Sequence, residues 1–396
     1  MSDSFARLRQ KLAWEEATER WYVPRDENFL EEIIAELGAG RRSGVLWVTG
    51  PSGGGLSTQL ARLSEELTNR GWRPLRVSLL GRAEPGRSVG PTGMLMLTLF
   101  WLMRALPEGS HRLTPAADRT AHRLIEALRA LCMVPAPRGQ TDWTNSLGHA
   151  LYLAIQRLKD PGFREEIETD SNLPIADFAE LVGCVAKLQE SQGEVVMIVD
   201  DANELDQGNN ADRLMPRCAS LWQSLPVRVV MTHPRRLEYS EDFAFAAAGD
   251  PRIVLRPLPH EGRVEFHQRV LERRLPAVQL ESAWVELADE STHGNTAEFL
   301  DLVARALCLA QARGEQPTRE HLVVAGKRRG GELRRLLAGA GALRELLRRD
   351  RAGSLDEVAK RWLGLRALLE VGDDATLRVH PGLIAACEGW AMEDQG

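Results

Sequence analysis

Paired cysteines, long apolar runs and a strong net charge are all missing from this chain. Its five cysteines (Cys132, Cys184, Cys218, Cys308 and Cys387) lie far apart along 396 residues. They have neither the spacing of a zinc site nor the density of a disulfide framework, which fits a reducing compartment. The longest apolar stretch, "GMLMLTLFWLM" at 93–103, falls well short of the roughly 20 residues that span a bilayer. It reads as a buried helix or strand, and no membrane partner is expected. The first residues, "MSDSFARLRQKLAWEEATER", are charged throughout, unlike a signal peptide. The expected location is cytoplasmic. A net charge of −6 gives no general affinity for nucleic acid. The nine histidines are dispersed, and no His/Cys/Asp/Glu group has metal-ligand spacing. His233 and His293 read as local hydrogen-bonding residues. There is no Gly-x-Ser-x-Gly or Cys/His constellation, no internal repeat and no low-complexity tract.

What is present is an ordinary globular composition, 43% hydrophobic and 27% charged, with length enough for two or three domains. Short continuous Val/Ile/Leu runs recur between helical patterns: "GVLWVTG" (44–50), "PLRVSLLG" (74–81), "EVVMIVDD" (194–201), "VRVVMTH" (227–233) and "RIVLRPL" (252–258). Continuous runs mark strands buried on both faces of a parallel sheet covered by helices. The fold class predicted for residues 1–258 is therefore α/β, a doubly wound parallel sheet. About 110 residues of helical pattern separate its second and third strands, too many for a simple crossover. They read as a helical insertion over about 85–190. Helices continue through 259–315. Residues 316–396 combine helical segments with "RALLEVGDDATLRVHPGL", two short strands joined at Gly-Asp-Asp, a winged-helix-like pattern.

One loop carries most of the functional signal. "GPSGGGLST" (50–58) lies between the first buried run and a helix. A phosphate-binding loop curls successive backbone N–H groups into an anion nest at a helix N-terminus. Gly50, Gly53, Gly54 and Gly55 supply the backbone freedom for it, with Pro51 and Ser52 between them. Ser57 stands where a hydroxyl would ligate Mg²⁺, and Thr58 where one would bond the α-phosphate side. In the Walker A pattern G-x-x-x-x-G-K-[ST], however, the lysine is replaced by Leu56. That lysine's ammonium bridges the β- and γ-phosphates and offsets charge during transfer. Its loss costs on the order of a few kcal/mol in a shielded site. The run ending in Asp200 reads as a Walker B strand, with Asp200 placed to hold Mg²⁺ through water. Asp201 stands where an acid would polarise the attacking water, and Glu204 is a weaker candidate for that role.

These segments together resemble the AAA+ and STAND group of P-loop ATPases. "WYVPRDENFLEEIIAEL" (21–37) is similar to the motif that precedes the loop and contacts adenine, with Pro24 where glycine is usual. "VRVVMTHPRR" (227–236) resembles the sensor 1 strand. It places Thr232 at the polar sensor position and Arg235 near an arginine of many STAND members. "THGNTAEFLDLVARAL" (292–307) resembles the G-N-P-x-x-L motif of a helical lid, with Thr296 in place of proline. The resemblance implies a nucleotide-binding domain at 1–258, a helical lid at 259–315 and a winged-helix-like domain at 316–396. It also implies ATP or ADP with Mg²⁺ as ligands, and assembly with protein partners or with itself. The departures at Leu56, Pro24 and Thr296 all fall at nucleotide-facing positions, so the expected activity is a switch or scaffold with weak or no hydrolysis. No arginine finger is assignable.

Two further readings stay open. One is an active ATPase in which another cation replaces the lysine. The other is DNA binding through the C-terminal region, where 313–366 holds fourteen Lys or Arg against seven Asp or Glu. Arg328, Arg329, Arg334, Arg335, Arg348 and Arg349 could neutralise phosphates there. Leu336, Leu337, Leu343, Leu346 and Leu347 recur at helical spacing, so the arginines could instead keep an amphipathic helix soluble or meet an acidic protein.

Overall fold

In the computed structural model of the protein, the described residues are 8, 22–25, 28–39, 43–77, 90–106, 112–134, 143–158, 160–170, 172–190, 193–202, 211–336, 366–371 and 376–387. They form two compact units. One comprises Asn28–Thr49 and Leu63–Ile253, and the other Met1–Glu27, Gly50–Arg62 and Val254–Gly396.

The first unit is built on a five-stranded sheet. Its strands are β1 (Gly44–Thr49), β2 (Trp72–Val77), β3 (Glu194–Val199), β4 (Arg228–Thr232) and β5 (Arg252–Val254), in the order β2-β3-β4-β1-β5. β1 pairs parallel with β4, β4 with β3, and β3 with β2. Every residue of β4, and all but the first of β1 and β3, is buried. That is what continuous apolar runs dictate for a sheet covered on both faces. The register sets Val48 beside Thr232 and Val199 beside Met231, so β1, β3 and β4 run out at one edge. The strands lie where the sequence predicts them, except that β2 starts earlier, at Trp72, and β5 is cut to three residues. Residues 78–81 of the second run lie outside the described residues.

The long segment between β2 and β3 is helical, as expected: α3 (Pro91–Arg104), α4 (Pro115–Leu131), α5 (Trp143–Arg157), α6 (Pro161–Thr169) and α7 (Ile175–Gln189). α1 (Phe29–Gly38) and α2 (Leu56–Asn69) flank β1, and α8 (Ala211–Gln223) and α9 (Glu241–Ala246) flank β4. Proline at the first position begins α3, α4 and α6, where a missing N–H costs nothing. Thr114 and Asp160 cap α4 and α6 through their side-chain oxygens. The apolar run at 93–103 is helix α3, buried nearly all round against β2, α5 and α7. Among the described residues no helix is long and apolar enough to cross a membrane. Trp47, Phe178, Trp222 and Phe243 are fully buried in this unit's core. Trp47 meets Phe243 edge-on at 5.1 Å, a favoured aromatic geometry. Cys132, Cys184, Cys218 and Cys308 are free thiols.

The second unit holds α10 (Arg263–Arg274), α11 (Ser282–Glu290), α12 (Thr296–Arg313) and α13 (Arg319–Leu336). These are followed by the antiparallel pair β6 (Leu368–Val371) and β7 (Thr376–Val379) and by α14 (Pro381–Cys387). Its core gathers Val270, Trp284, Phe299, Val303 and Leu322. Asn295 caps α12 by accepting from the Glu298 N–H, and Gly314 ends the helix in the left-handed region. The hairpin is the one expected, although its Gly-Asp-Asp turn lies outside the described residues. So do Leu337, Leu343, Leu346, Leu347, Arg348 and Arg349.

α13 and α14 cross with backbone almost touching backbone. A Cβ on Gly330 would overlap the Gly382 carbonyl, and one on Gly382 would come within 2.6 Å of the Gly326 oxygen. Gly→Ala within a helix ordinarily stabilises by about 0.5–1 kcal/mol. Here Gly330→Ala is expected to do the reverse, costing about 1–3 kcal/mol by overpacking. A denaturant titration that finds the variant equal or more stable would contradict this crossing.

Candidate nucleotide-binding loop

The turn after β1 has its acceptors and donors used unequally. Asn295 Nδ2 donates to the Ser52 carbonyl at 2.8 Å. The Ala297 N–H donates to the Gly53 carbonyl at 3.1 Å, and Arg25 Nη1 donates to the Gly54 carbonyl at 2.7 Å. Arg25 also donates through Nη2 to the Arg256 carbonyl at 2.6 Å. Three successive loop carbonyls are thus held by groups from 22–25 and from the start of α12. On the donor side, the Gly54 N–H closes a turn onto Pro51, and Thr58 and Gln59 bond back to Gly55. Among the described residues, the amides of Gly53, Gly55, Leu56 and Ser57 donate to no protein acceptor. Open amides in the first turn of a helix are the donor set of an anion nest.

Gly53 makes this approach possible. Its φ is +80°, a region L side chains avoid. A Cβ there would lie 2.6 Å from Ala297 Cβ and 2.7 Å from Asn295 Oδ1. Leu56 is the first residue of α2 and is 7% exposed, so an apolar side chain is buried at the lysine position. Ser52 is exposed, Pro51 is buried, and Ser57 and Thr58 are half-buried.

Arg366, just before β6, also reaches this loop. Its Nε donates to Ser52 Oγ at 3.2 Å and its Nη1 to Glu298 Oε1 at 3.3 Å. Glu298 is buried on α12 and accepts two bonds from Arg329, at 2.8 and 2.9 Å. Its Oε2 lies 3.2 Å from His380 Nε2. Burial alone would raise the Glu298 pKa. Bonds from His380 and Arg329 outweigh that and hold the carboxyl far below the carboxylate range. Behind it, a second buried group knits the helices. Asp289 accepts from Arg263 at 2.8 and 3.0 Å and lies 2.7 Å from His267 Nδ1. The other His267 nitrogen lies 3.2 Å from Thr296 Oγ1. Thr296, at the position where proline is usual, therefore ties two helices together.

In the first unit, Asp200 and Asp201 follow β3 and are 3% and 8% exposed. The Thr232 hydroxyl faces the carbonyls of Val199 and Asp200, at 3.0 and 2.7 Å. It braces the end of β3 and so fixes the Asp200 backbone. The Asp200 carboxylate lies 3.6 Å from Arg76 Nη2 on β2, a partner that no local motif signals. His233 bonds locally, as predicted, through Nδ1 with the Pro234 carbonyl at 3.2 Å, and its Nε2 lies 3.0 Å from the Glu238 carboxylate. Arg235 begins a short 3₁₀ turn, and Glu204 lies outside the described residues. Among the described residues no three His, Cys, Asp or Glu side chains cluster to hold a metal. Ser57 and Asp200 are oxygen donors of the hard kind that Mg²⁺ takes, while Arg76 already brings a positive charge to Asp200.

No protein-family model and no curated protein sequence matches this chain. Solved structures do. The Walker-type ATPase PABY2304 of Pyrococcus abyssi aligns with a TM-score of 0.51 at 13% identity, covering 92% of this chain and 95% of that one. The ORC1 protein of Aeropyrum pernix in complex with DNA gives 0.41 at 15% identity, over 95% of both chains. The ORC2 protein of the same organism gives 0.40 at 13%, over 96% and 98%. The likeness to the Pyrococcus protein, together with the strand order, shows the α/β fold of a P-loop NTPase. At these identities it shows fold alone.

His293 supplies a pH test of the helical unit. Burial, then the charges of His380, Arg263 and Arg378, lower its pKa from the ordinary 6.5 to about 4. Between those values the unfolded chain takes up a proton that the folded one refuses, so stability falls as pH drops through the window. His267, also depressed by burial, adds to this fall, and the depressed acids Asp289 and Glu298 lose their contribution only from the ordinary carboxylate range downward. His293→Asn, which suits the left-handed φ of 49° at this residue, is expected to flatten the fall between pH 6.5 and 4.5. An unchanged slope in denaturation midpoints would locate the pH dependence elsewhere.

Proposed function

We propose that this chain is an ATPase-like subunit that holds ATP or ADP at its glycine loop, hydrolyses it weakly or not at all, and works as a switch or scaffold among protein partners or further copies of itself. The observation that carries this reading is the division of the loop's polar groups. Its carbonyls are turned to the protein, and four of its amides are left for an anion. Open amides are ordinary at a helix start; here a glycine turn, with Gly53 and Gly55 at positive φ, extends them into a loop whose carbonyls are already held.

Each residue then has a role. Gly50, Pro51, Ser52, Gly53, Gly54 and Gly55 shape the turn, and the amides of Gly53, Gly55, Leu56 and Ser57 bind phosphate oxygens. Thr58 contributes a hydroxyl at the α-phosphate side. Ser57 and Asp200 are the oxygen donors proposed for Mg²⁺, which would neutralise phosphate charge when bound, and Thr232 keeps the Asp200 backbone in place. Asp201 is the acid proposed to polarise water. Leu56 is the reason turnover is slow, because a buried leucine offers no charge to a developing transition state.

The C-terminal charge supports a second, weaker reading as a contact for an anionic partner such as DNA. Arg329 is spent on Glu298, which removes it from that surface. Lys327, Arg328, Arg334 and Arg335 remain exposed two turns apart on α13, a spacing that sets them on one side of the helix.

The test is thermal unfolding of the full chain with and without ATP or ADP. Ligand that binds only the folded state stabilises by mass action, by about 2.7 kcal/mol at a hundred times Kd. The unmodified protein is expected to gain melting temperature with rising nucleotide. Gly53→Ala, which closes the lid's approach to the loop, is expected to lose that gain. A melting temperature indifferent to millimolar ATP and ADP would rule the nucleotide reading out.

A further inference from the structure

Leu56 removes the cation of the loop, yet the loop is not without one. The Arg366 guanidinium lies against its tip, with Nε bonded to Ser52 Oγ at 3.2 Å and Cζ 3.4 Å from where a Gly53 Cβ would stand. The side chain is one-third exposed, so it is neither sealed in the core nor swung out into solvent. Glu298 steadies it through Nη1, and Glu298 is itself fixed by Arg329 and His380. Arg366 holds φ at 58°, a left-handed conformation that a non-glycine residue keeps only where surrounding contacts enforce it.

We propose that Arg366 is the phosphate-binding cation of this loop. It would take the place of the missing lysine from a point more than three hundred residues along the chain. A guanidinium pairs with phosphate oxygens bidentately and is always charged, so it replaces an ammonium in binding. It is anchored outside α2, and so does not reproduce the lysine's position along the transferring bond. Strong binding with weak turnover follows. A second consequence is coupling. Arg366 cannot turn toward a phosphate without weakening its bond to Glu298, which also holds α13 and α14 through Arg329 and His380. Occupancy of the loop is thereby read by the C-terminal hairpin and its helices. The inference rests on the nucleotide reading above and names the ligand class it requires, a nucleoside di- or triphosphate as opposed to a bare nucleoside.

Titration calorimetry on the full chain, with ATP and with adenosine, tests it in the unmodified protein and in Arg366→Gln and Arg366→Lys. Arg366→Gln is expected to weaken ATP at least tenfold, the scale of one charge-assisted bond of about 1.4 kcal/mol, and to leave adenosine unchanged. Arg366→Lys is expected to recover most of the loss, which a purely structural guanidinium would not allow. ATP affinity within twofold of the unmodified protein in Arg366→Gln, or no recovery with lysine, overturns the proposal while leaving nucleotide binding standing. Absence of ATP and ADP binding by the unmodified protein would defeat both. Should the glutamine variant not fold, phenylglyoxal labelling of the unmodified protein decides the matter. ATP but not adenosine is expected to protect Arg366, and equal labelling with and without ATP counts against the assignment.

Discussion

A turn made largely of glycine cannot satisfy its own peptide groups, and the rest of this site is organised by how that deficit is met. The carbonyls of Ser52, Gly53 and Gly54 accept from Asn295, Ala297 and Arg25, so the loop is held from outside. That clamp requires a glycine at 53, because a side chain would strike Ala297 and Asn295. It also requires the start of α12 to be fixed in place. The fixing comes from the two buried carboxylates, Asp289 and Glu298. Each is surrounded by arginine and histidine, which turns a costly buried charge into a directional bracket. Breaking either bracket would free the loop carbonyls and let the turn relax.

On the reading proposed above, anion binding and its sensing by the C-terminal elements would share one set of atoms. Glu298 serves Arg329, His380 and Arg366 at once, and Arg366 also bonds the loop. An electrostatic event at Ser52 therefore has a short route to α13, to the hairpin and to α14. The close crossing at Gly330 and Gly382 makes those helices move together, if at all. On that same reading the assembly would suit a switch better than a fast hydrolase, because buried Leu56 brings no charge to the loop.

Much of the fold was legible in the sequence because strands buried on both faces leave unbroken apolar runs. All five strands follow from such runs, and the helical insertion, the helices after residue 258 and the hairpin from helical periodicity and turn residues. The loop was legible too, since four glycines between a strand and a helix have few other uses. The residues that complete the site were not. Arg25 lies beside Pro24 and carries no motif signal. Asn295 looked like part of a lid pattern, and only its dual use as helix cap and clamp to Ser52 shows its importance. Arg366 and Glu298 are 68 residues apart and depend on tertiary packing that no local spacing encodes. The Arg76 guanidinium beside Asp200 belongs to the same class, a cross-strand placement set by sheet order.

The central claim is that the open amides of this loop are a phosphate site. Hydrogen exchange at the backbone of Gly53, Gly55, Leu56 and Ser57 reads those N–H groups directly. With saturating ATP the account predicts marked slowing at these four amides and little change with adenosine at the same concentration. Equal exchange in the presence and absence of ATP would show that the nest holds no phosphate.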